Sequence, residues 1–302
     1  MYQVESPILF LIFNRPDTTS QVFEKIREQK PKKLYISADG PRPDRPTEEA
    51  LCLRTRDLIK VDWDCEVKTL YHDKNLGCKL AVSGGIKWFF QQEEQGIILE
   101  DDCLPNIYFF IFCDTLLNKY KEDTRVVHIG GSKMNYNRTF GNATYYFSKY
   151  TNVWGWASWR RVWEKYDENL ALLDTFIEQD SFPNIYENKN VSKSLLKSFI
   201  KTKQGVINTW DYQYCFLNFC NNGLCISPNY NMITNIGFTN EGTHTNDADH
   251  PYANLSLESV PDISHPTFLL PIIEADYHLF KLEKPTLIRR IKRKINSYIK
   301  IF

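Results

Sequence analysis

The stretch 96-GIILEDDCLP-105 holds the first clue to the fold: an apolar run, Ile97 to Leu99, heads for the interior and ends in three adjacent carboxylates, Glu100, Asp101 and Asp102. Like charges a few ångströms apart raise one another's pKa, and desolvating each of them costs several kcal/mol. Such a turn stays ionised only beside a cation. Strand alternation places Glu100 and Asp102 on one side and Asp101 on the other. The simplest alternative is a solvated loop or a helix cap, with Asp102 and Asn106 leading into a helix over residues 108–119.

Upstream of the triplet, short apolar runs alternate with amphipathic ones. Residues 8–13, 33–37, 65–70 and 96–99 read as strands, and 18–28, 47–60 and 79–91 as helices. That rhythm predicts an α/β fold, a mostly parallel sheet flanked by helices on both faces. Ligands of such sheets collect at the carboxyl ends of the strands. Each predicted strand ends in polar residues: Asn14 and Arg15, then Asp39 and Gly40, then His72, Asn75 and Gly77, then the triplet. Four strand ends therefore point to one pocket. Gly84 and Gly85, inside a helical pattern, cost about 1 kcal/mol each relative to alanine. Close approach to the sheet or to a ligand would explain them.

Beyond a boundary near residue 140 the rhythm gives way to aromatic blocks, 154-WGWASWRRVW-163 and 209-TWDYQYCFLNF-219, the second predicting a helix over 211–221. Trp156, Trp159 and Trp163 fall at helical spacing. The 302 residues carry 37 Lys and Arg against 37 Asp and Glu. From Lys284 onward, however, the chain has seven cations and no acid, so the remainder is net acidic. An acidic body argues against a nucleic-acid binder, whose basic footprint is spread over the fold. None of the eight cysteines falls at C-x-x-C spacing, which leaves reduced thiols of a cytosolic protein as the simplest expectation. No signal-like segment opens the chain, and no apolar run approaches the ~20 residues of a membrane span. In the tail 284–302, apolar residues recur at three, four and seven with cations between them. That pattern predicts a helix lying on an anionic membrane surface, or one docked on the body or a dimer seam.

These residues resemble a family. The acidic turn looks like the D-x-D motif of GT-A glycosyltransferases, and 99-LEDDCLPNIYFF-110 resembles the E-D-D variant of the N-acetylglucosaminyltransferase I type. The likeness to bacterial glycosyltransferases extends to FNRPD at 13–17, NLG at 75–77, GIKWFF at 85–90, GWASWRRVW at 155–163, WDYQY at 210–214, and NIGF with THT between 235 and 245. The resemblance implies a GT-A fold with residues 1–140 as the nucleotide-sugar half, 141–280 as the acceptor-side half and 284–302 as a basic tail.

Carried over residue by residue, the resemblance implies that Asp102 contacts a metal, Mn2+ or Mg2+, while Glu100 and Asp101 touch the sugar or ribose. Asp39 resembles the acid that accepts from a uracil N–H, and its alternative is a turn residue. Arg15 resembles a first-strand arginine near the nucleotide, and otherwise serves the start of its helix. Asn75 and Lys79 lie on the nucleotide side, Lys79 being either a phosphate contact or a solvated helix start. Asp211, opening its predicted helix, resembles the catalytic base of inverting enzymes and is otherwise a cap; Glu241 is the second candidate. His244 resembles a late metal ligand, with a surface histidine as the alternative. Gly155 and Trp156 are expected on the acceptor side of the pocket, and Trp159 and Trp163 in the core.

The resulting expectation is an inverting, metal-dependent glycosyltransferase that moves a sugar from a UDP-sugar donor, UDP-N-acetylglucosamine among the candidates. Its acceptor would be a glycan or lipid-linked sugar of bacterial surface polysaccharide, at the cytoplasmic face of the membrane. Two other classes stay open: a sugar-nucleotide nucleotidyltransferase, and a non-catalytic membrane-associated glycan-binding protein. FNRPD speaks against the first of these, because it lacks the glycine- and arginine-rich loop that holds a triphosphate.

Overall fold

The computed structural model describes residues 2–136, 138–238, 252 and 255–283. Its first hundred residues follow the predicted alternation: β1 Ile8–Ile12, α1 Pro16–Gln29, β2 Lys33–Ala38, α2 Glu48–Asp57, β3 Glu66–Tyr71, α3 Gly77–Phe90 and β4 Gln95–Glu100. All five residues of β1 are buried, as expected for a strand covered on both faces. Pro16 opens α1, where its missing N–H costs nothing, and Lys30 closes the helix in the left-handed region at φ 44°.

The acidic turn leads into a short strand, β5 Cys103–Pro105, and then α4 Ile107–Lys119, capped by the Asn106 side chain on Phe109 N–H. The remaining elements are β6 Val126–Gly130, β7 Tyr145–Ser148, β8 Trp156–Trp159, α5 Arg160–Trp163, α6 Leu173–Glu178, α7 Lys189–Lys203, α8 Asp211–Cys220, β9 Leu224–Pro228, β10 Ile233–Asn235 and α9 Ile273–Glu283. Among the described residues, eight strands form one sheet in the order β3-β2-β1-β4-β8-β6-β9-β7. Only β8 and β7 run against the others. The fold is α/β with a mostly parallel sheet. Strands from both sides of residue 140 share this sheet, and one hydrophobic core runs from Val4 to Ile233.

The predicted helical stripe of tryptophans is corrected here. Trp156–Trp159 is strand β8, antiparallel between β4 and β6, and only Arg160–Trp163 is helical. All four residues of β8 are buried, so no alternation marks the strand, and a short apolar run cannot be assigned by period alone.

Buried carboxylates anchor the periphery. Asp114 on α4 accepts from the N–H groups of Glu5 and Ser6 and from the Tyr2 hydroxyl, tying the N-terminal segment to the body. Asp276 on α9 accepts from Ser148 and Tyr186 hydroxyls and from Lys149 N–H, fixing α9 to β7.

Candidate active site

The carboxyl ends of β1, β2 and β4, with the N-terminal turn of α3, surround a cavity of about 730 Å3. That is an ordinary size for a small-ligand site. Arg15, Asp39, Asn75, Glu100, Asp101 and Asp102 line it from the sheet side, and Asp211 lines it from the start of α8. The structure thus brings together seven of the predicted residues.

The acidic turn is held from outside the sheet. β10 pairs antiparallel with β5, Ile236 N–H donates to the Asp102 carbonyl at 2.8 Å, and a Cβ on Gly237 would lie 2.8 Å from that of Asp102. Glycine at 237 lets the NIGF segment lie flat against the carboxylate. The expected sidedness is wrong. Asp101 and Asp102 both face Arg15, whose guanidinium reaches Asp101 Oδ1 at 2.5 Å and Asp102 Oδ2 at 2.9 Å. Phe13 N–H adds a second bond to Asp101, on Oδ2 at 3.3 Å. A turn after the last strand residue breaks the alternation, so period 2 does not extend past Glu100.

The cation required by the triplet is therefore, first of all, Arg15. Its fork is taken by two carboxylates, and the side chain lines the cavity. One guanidinium against three carboxylates leaves negative charge over. Burial, then Asp102 and Asp101, push the Glu100 carboxyl up to about 8. Burial also pushes Asp101 up, to about 6, against the pull of Arg15.

Hard carboxylate oxygens with uncompensated charge fit a Mg2+ or Mn2+ ion in kind. Among the described residues, no group of three or more His, Cys, Asp or Glu side chains is placed to hold an ion. What fits is an ion held by one or two carboxylates and completed by diphosphate oxygens. His244 and Glu241 lie outside the described residues.

Asp39 is not open for a base. Its carboxylate accepts from Gly40 N–H and Leu76 N–H at 2.8 Å, from Asn75 Nδ2 at 2.9 Å and from Gly77 N–H at 3.1 Å. Four donors fill the acceptor sites of a carboxylate. Asp39 instead pins the turn into α3. Asn75 spends both Nδ2 hydrogens on Asp39 and the Gly40 carbonyl and lines the cavity. Lys79, one turn into α3, does not line the cavity.

Asp211 is the first residue of α8 and does not cap it, since the cap position is Trp210 and carries no side-chain cap bond. Its Oδ1 accepts from the Thr209 hydroxyl and, at 2.9 Å, from Tyr212 N–H. Oδ2 has no partner among the described residues. The carboxylate is thus oriented through one oxygen and open at the other.

Trp156 is corrected from pocket to core. It is fully buried and stacked between His128 at 5.4 Å and Trp210 at 5.7 Å. Gly155 is buried too, at φ +61°, with Ile233 occupying the space a side chain would need. Trp154 and Trp210 line the pocket instead, and Trp154 lies edge-on to Phe238 at 5.6 Å. The left-handed glycine after it turns the chain, so Trp154 faces the cavity while Trp156 enters the sheet.

Sequence reasoning also missed Arg42 and Cys78. Arg42 sits over the Phe13 ring at 5.5 Å, held by a buried Glu48. An arginine soon after a strand-end Asp-Gly was its only signal. The Cys78 thiol is pushed up to about 12 by burial and by Glu100, Asp211 and Asp39, so it stays protonated beside them.

No protein-family model matches the chain, and no curated protein matches it in sequence. Solved structures share parts of the fold. One is the mannosyltransferase PcManGT from Pyrobaculum calidifontis in complex with GDP-Man and Mn2+, 12% identical over 53% of this chain and 46% of its own, with a TM-score of 0.34. Another is the galactosyltransferase LgtC in complex with donor and acceptor sugar analogues, 10% identical over 71% and 70%, with a TM-score of 0.32. An apo UDP-glucose pyrophosphorylase is 10% identical over 76% and 93%, with a TM-score of 0.37. The chain spans under half the length of the mannosyltransferase. Similarity at this level assigns neither a family nor an activity.

Proposed function

We propose that this chain is an inverting glycosyltransferase that takes its sugar from a nucleoside diphosphate donor, with a UDP-sugar the first candidate. One observation carries the reading: a strand-end triplet with a single guanidinium faces, across one cavity, a carboxylate at a helix start that keeps one oxygen open. The triplet and Arg42 suit a diphosphate with its cation. The open carboxylate suits an acceptor hydroxyl.

Asp102 and Glu100 are the residues to hold a Mn2+ or Mg2+ ion, which when bound neutralises the leaving diphosphate. Arg15 keeps Asp101 and Asp102 in place, and Arg42 at the cavity wall adds a second cation for the diphosphate. Asp211 Oδ2 takes the acceptor proton as the acceptor oxygen bonds to the anomeric carbon and the bond to the diphosphate breaks. Thr209 and the start of α8 hold that carboxylate aimed. Asp39 and Asn75 shape the turn that closes the nucleotide side.

The connection from β1 to α1 is only residues 13–15, too short for a triphosphate-wrapping loop, which weighs against a nucleotidyltransferase. No helix among the described residues is long and apolar enough to cross a membrane. The basic tail 284–302 is the basis for placing the enzyme on the inner face of the membrane, with a lipid-linked or other glycan acceptor. That segment lies outside the described residues.

The test is Asp211→Asn, assayed by UDP release from UDP-N-acetylglucosamine and UDP-glucose with Mn2+. Turnover should fall about 10²- to 10⁴-fold while UDP binding by calorimetry is unchanged. Wild-type protein that binds UDP-sugar without turnover would favour the glycan-binding class, and full activity in Asp211→Asn would remove the assigned base.

A further inference from the structure

A second groove runs along the other side of α3. Leu80, Ser83, Gly84 and Lys87 share one helical face, and that face forms one wall of a cavity of about 530 Å3. The facing wall carries Trp163 and Tyr166, whose rings stack at 4.4 Å and 8°.

Gly84 is the telling residue. A mid-helix glycine costs about 1 kcal/mol relative to alanine. Its neighbour Gly85 is required by packing, because a Cβ there would lie 2.6 Å from Ser37 Oγ and 3.0 Å from Leu11. At Gly84 a Cβ would meet nothing within 4 Å among the described residues. No contact inside the described chain accounts for the bare backbone, which leaves room there for a molecule approaching from outside.

The groove also adjoins the active site. The Tyr166 hydroxyl donates to the Trp210 carbonyl at 3.1 Å, immediately before Asp211. That hydroxyl, raised chiefly by burial, also feels the Asp211 charge. Around the ring pair, Lys87, Arg160 and Glu168 supply donors and acceptors. Trp163 is 4% exposed and backs the ring of half-buried Tyr166, and that ring, edged by mixed polar groups, suits the apolar face and hydroxyls of a pyranose. A protein partner would need a broader apolar face than Leu80 provides, at 46% exposure.

We propose that this groove is a subsite for a distal sugar ring of the acceptor glycan, seated on the Gly84 backbone against the Trp163–Tyr166 pair while the reacting hydroxyl reaches Asp211. The proposal rests on the glycosyltransferase reading. Its test is saturation-transfer NMR on the full chain with N,N′-diacetylchitobiose, lactose and maltose and their monosaccharide units, for wild type and Gly84→Gln.

At least one disaccharide should receive saturation on both rings from wild type. Gly84→Gln should remove it from one ring and weaken binding about tenfold. The variant should melt no lower than wild type, since glutamine is the better helix former. Absence of disaccharide binding to wild type, unchanged binding in the variant, or a shift in oligomeric state by light scattering with sugar binding intact would each overturn the subsite. UDP titration of the same samples separates the two readings. UDP binding with no sugar at the groove removes the subsite alone, whereas Gly84-dependent sugar binding without UDP binding removes the glycosyltransferase reading and leaves the sugar site.

Discussion

Arg15 decides the electrostatics of the acidic turn. Its side chain is 29% exposed while that of Asp101 is 3%, so removing it leaves a buried carboxylate with no cation. Arg15→Met should lower stability by about 3 kcal/mol in urea unfolding at pH 7. Mn2+ should then raise the midpoint of the variant more than that of wild type. A loss under ~0.5 kcal/mol would mean the pair is solvated and the turn needs no internal cation. His128 tests the core in the same way. Burial lowers its pKa from 6.5 to about 4 while Nε2–H donates to the Asn152 carbonyl at 2.7 Å. The ring is neutral in the fold, so its contribution is complete above pH 6.5 and is lost as pH falls through 4. Relative to His128→Phe, wild type should lose about 3 kcal/mol more between those limits. Parallel pH profiles for the two proteins would show that the ring charges inside the fold. Single residues were the least legible level of the sequence. Asp39 ends a strand as expected, yet its role depends on donors from 75–77, which only the folded chain brings to it.

At the scale of elements the sequence was most legible where period and punctuation agree. Pro16, the buried run of β1 and the glycine-marked start of α3 place the first βαβ units within a few residues. β8 was not legible, because a fully buried strand loses its alternation and its tryptophans happen to fall at helical spacing. Helix α3 separates two reasons for glycine. Gly84→Ala should stabilise by about 1 kcal/mol, since its Cβ enters open space. Gly85→Ala should destabilise by about 1–2 kcal/mol, because crowding against Ser37 and Leu11 outweighs the helix gain. Thermal melts of both variants check the pair, and equal shifts would remove the distinction on which the groove depends.

The whole molecule places its chemistry where two halves of one sheet meet. Strand ends of the first half supply the acidic turn, Arg15 and the Asp39-pinned loop; the second half supplies Trp154 and Asp211 from across the cavity. Convergence of strand ends was readable from the α/β rhythm, but the β5–β10 ribbon that steadies Asp102 was not, since it pairs segments far apart in the chain. The most direct measurement is thermal stabilisation by UDP, GDP, CDP and TDP, each with Mn2+ and with chelator, for wild type and Asp102→Ala. UDP with Mn2+ at ~100 times its dissociation constant should add about 2.7 kcal/mol, and chelator or Asp102→Ala should abolish the gain. Stabilisation by none of the four would contradict a nucleoside diphosphate site at this turn.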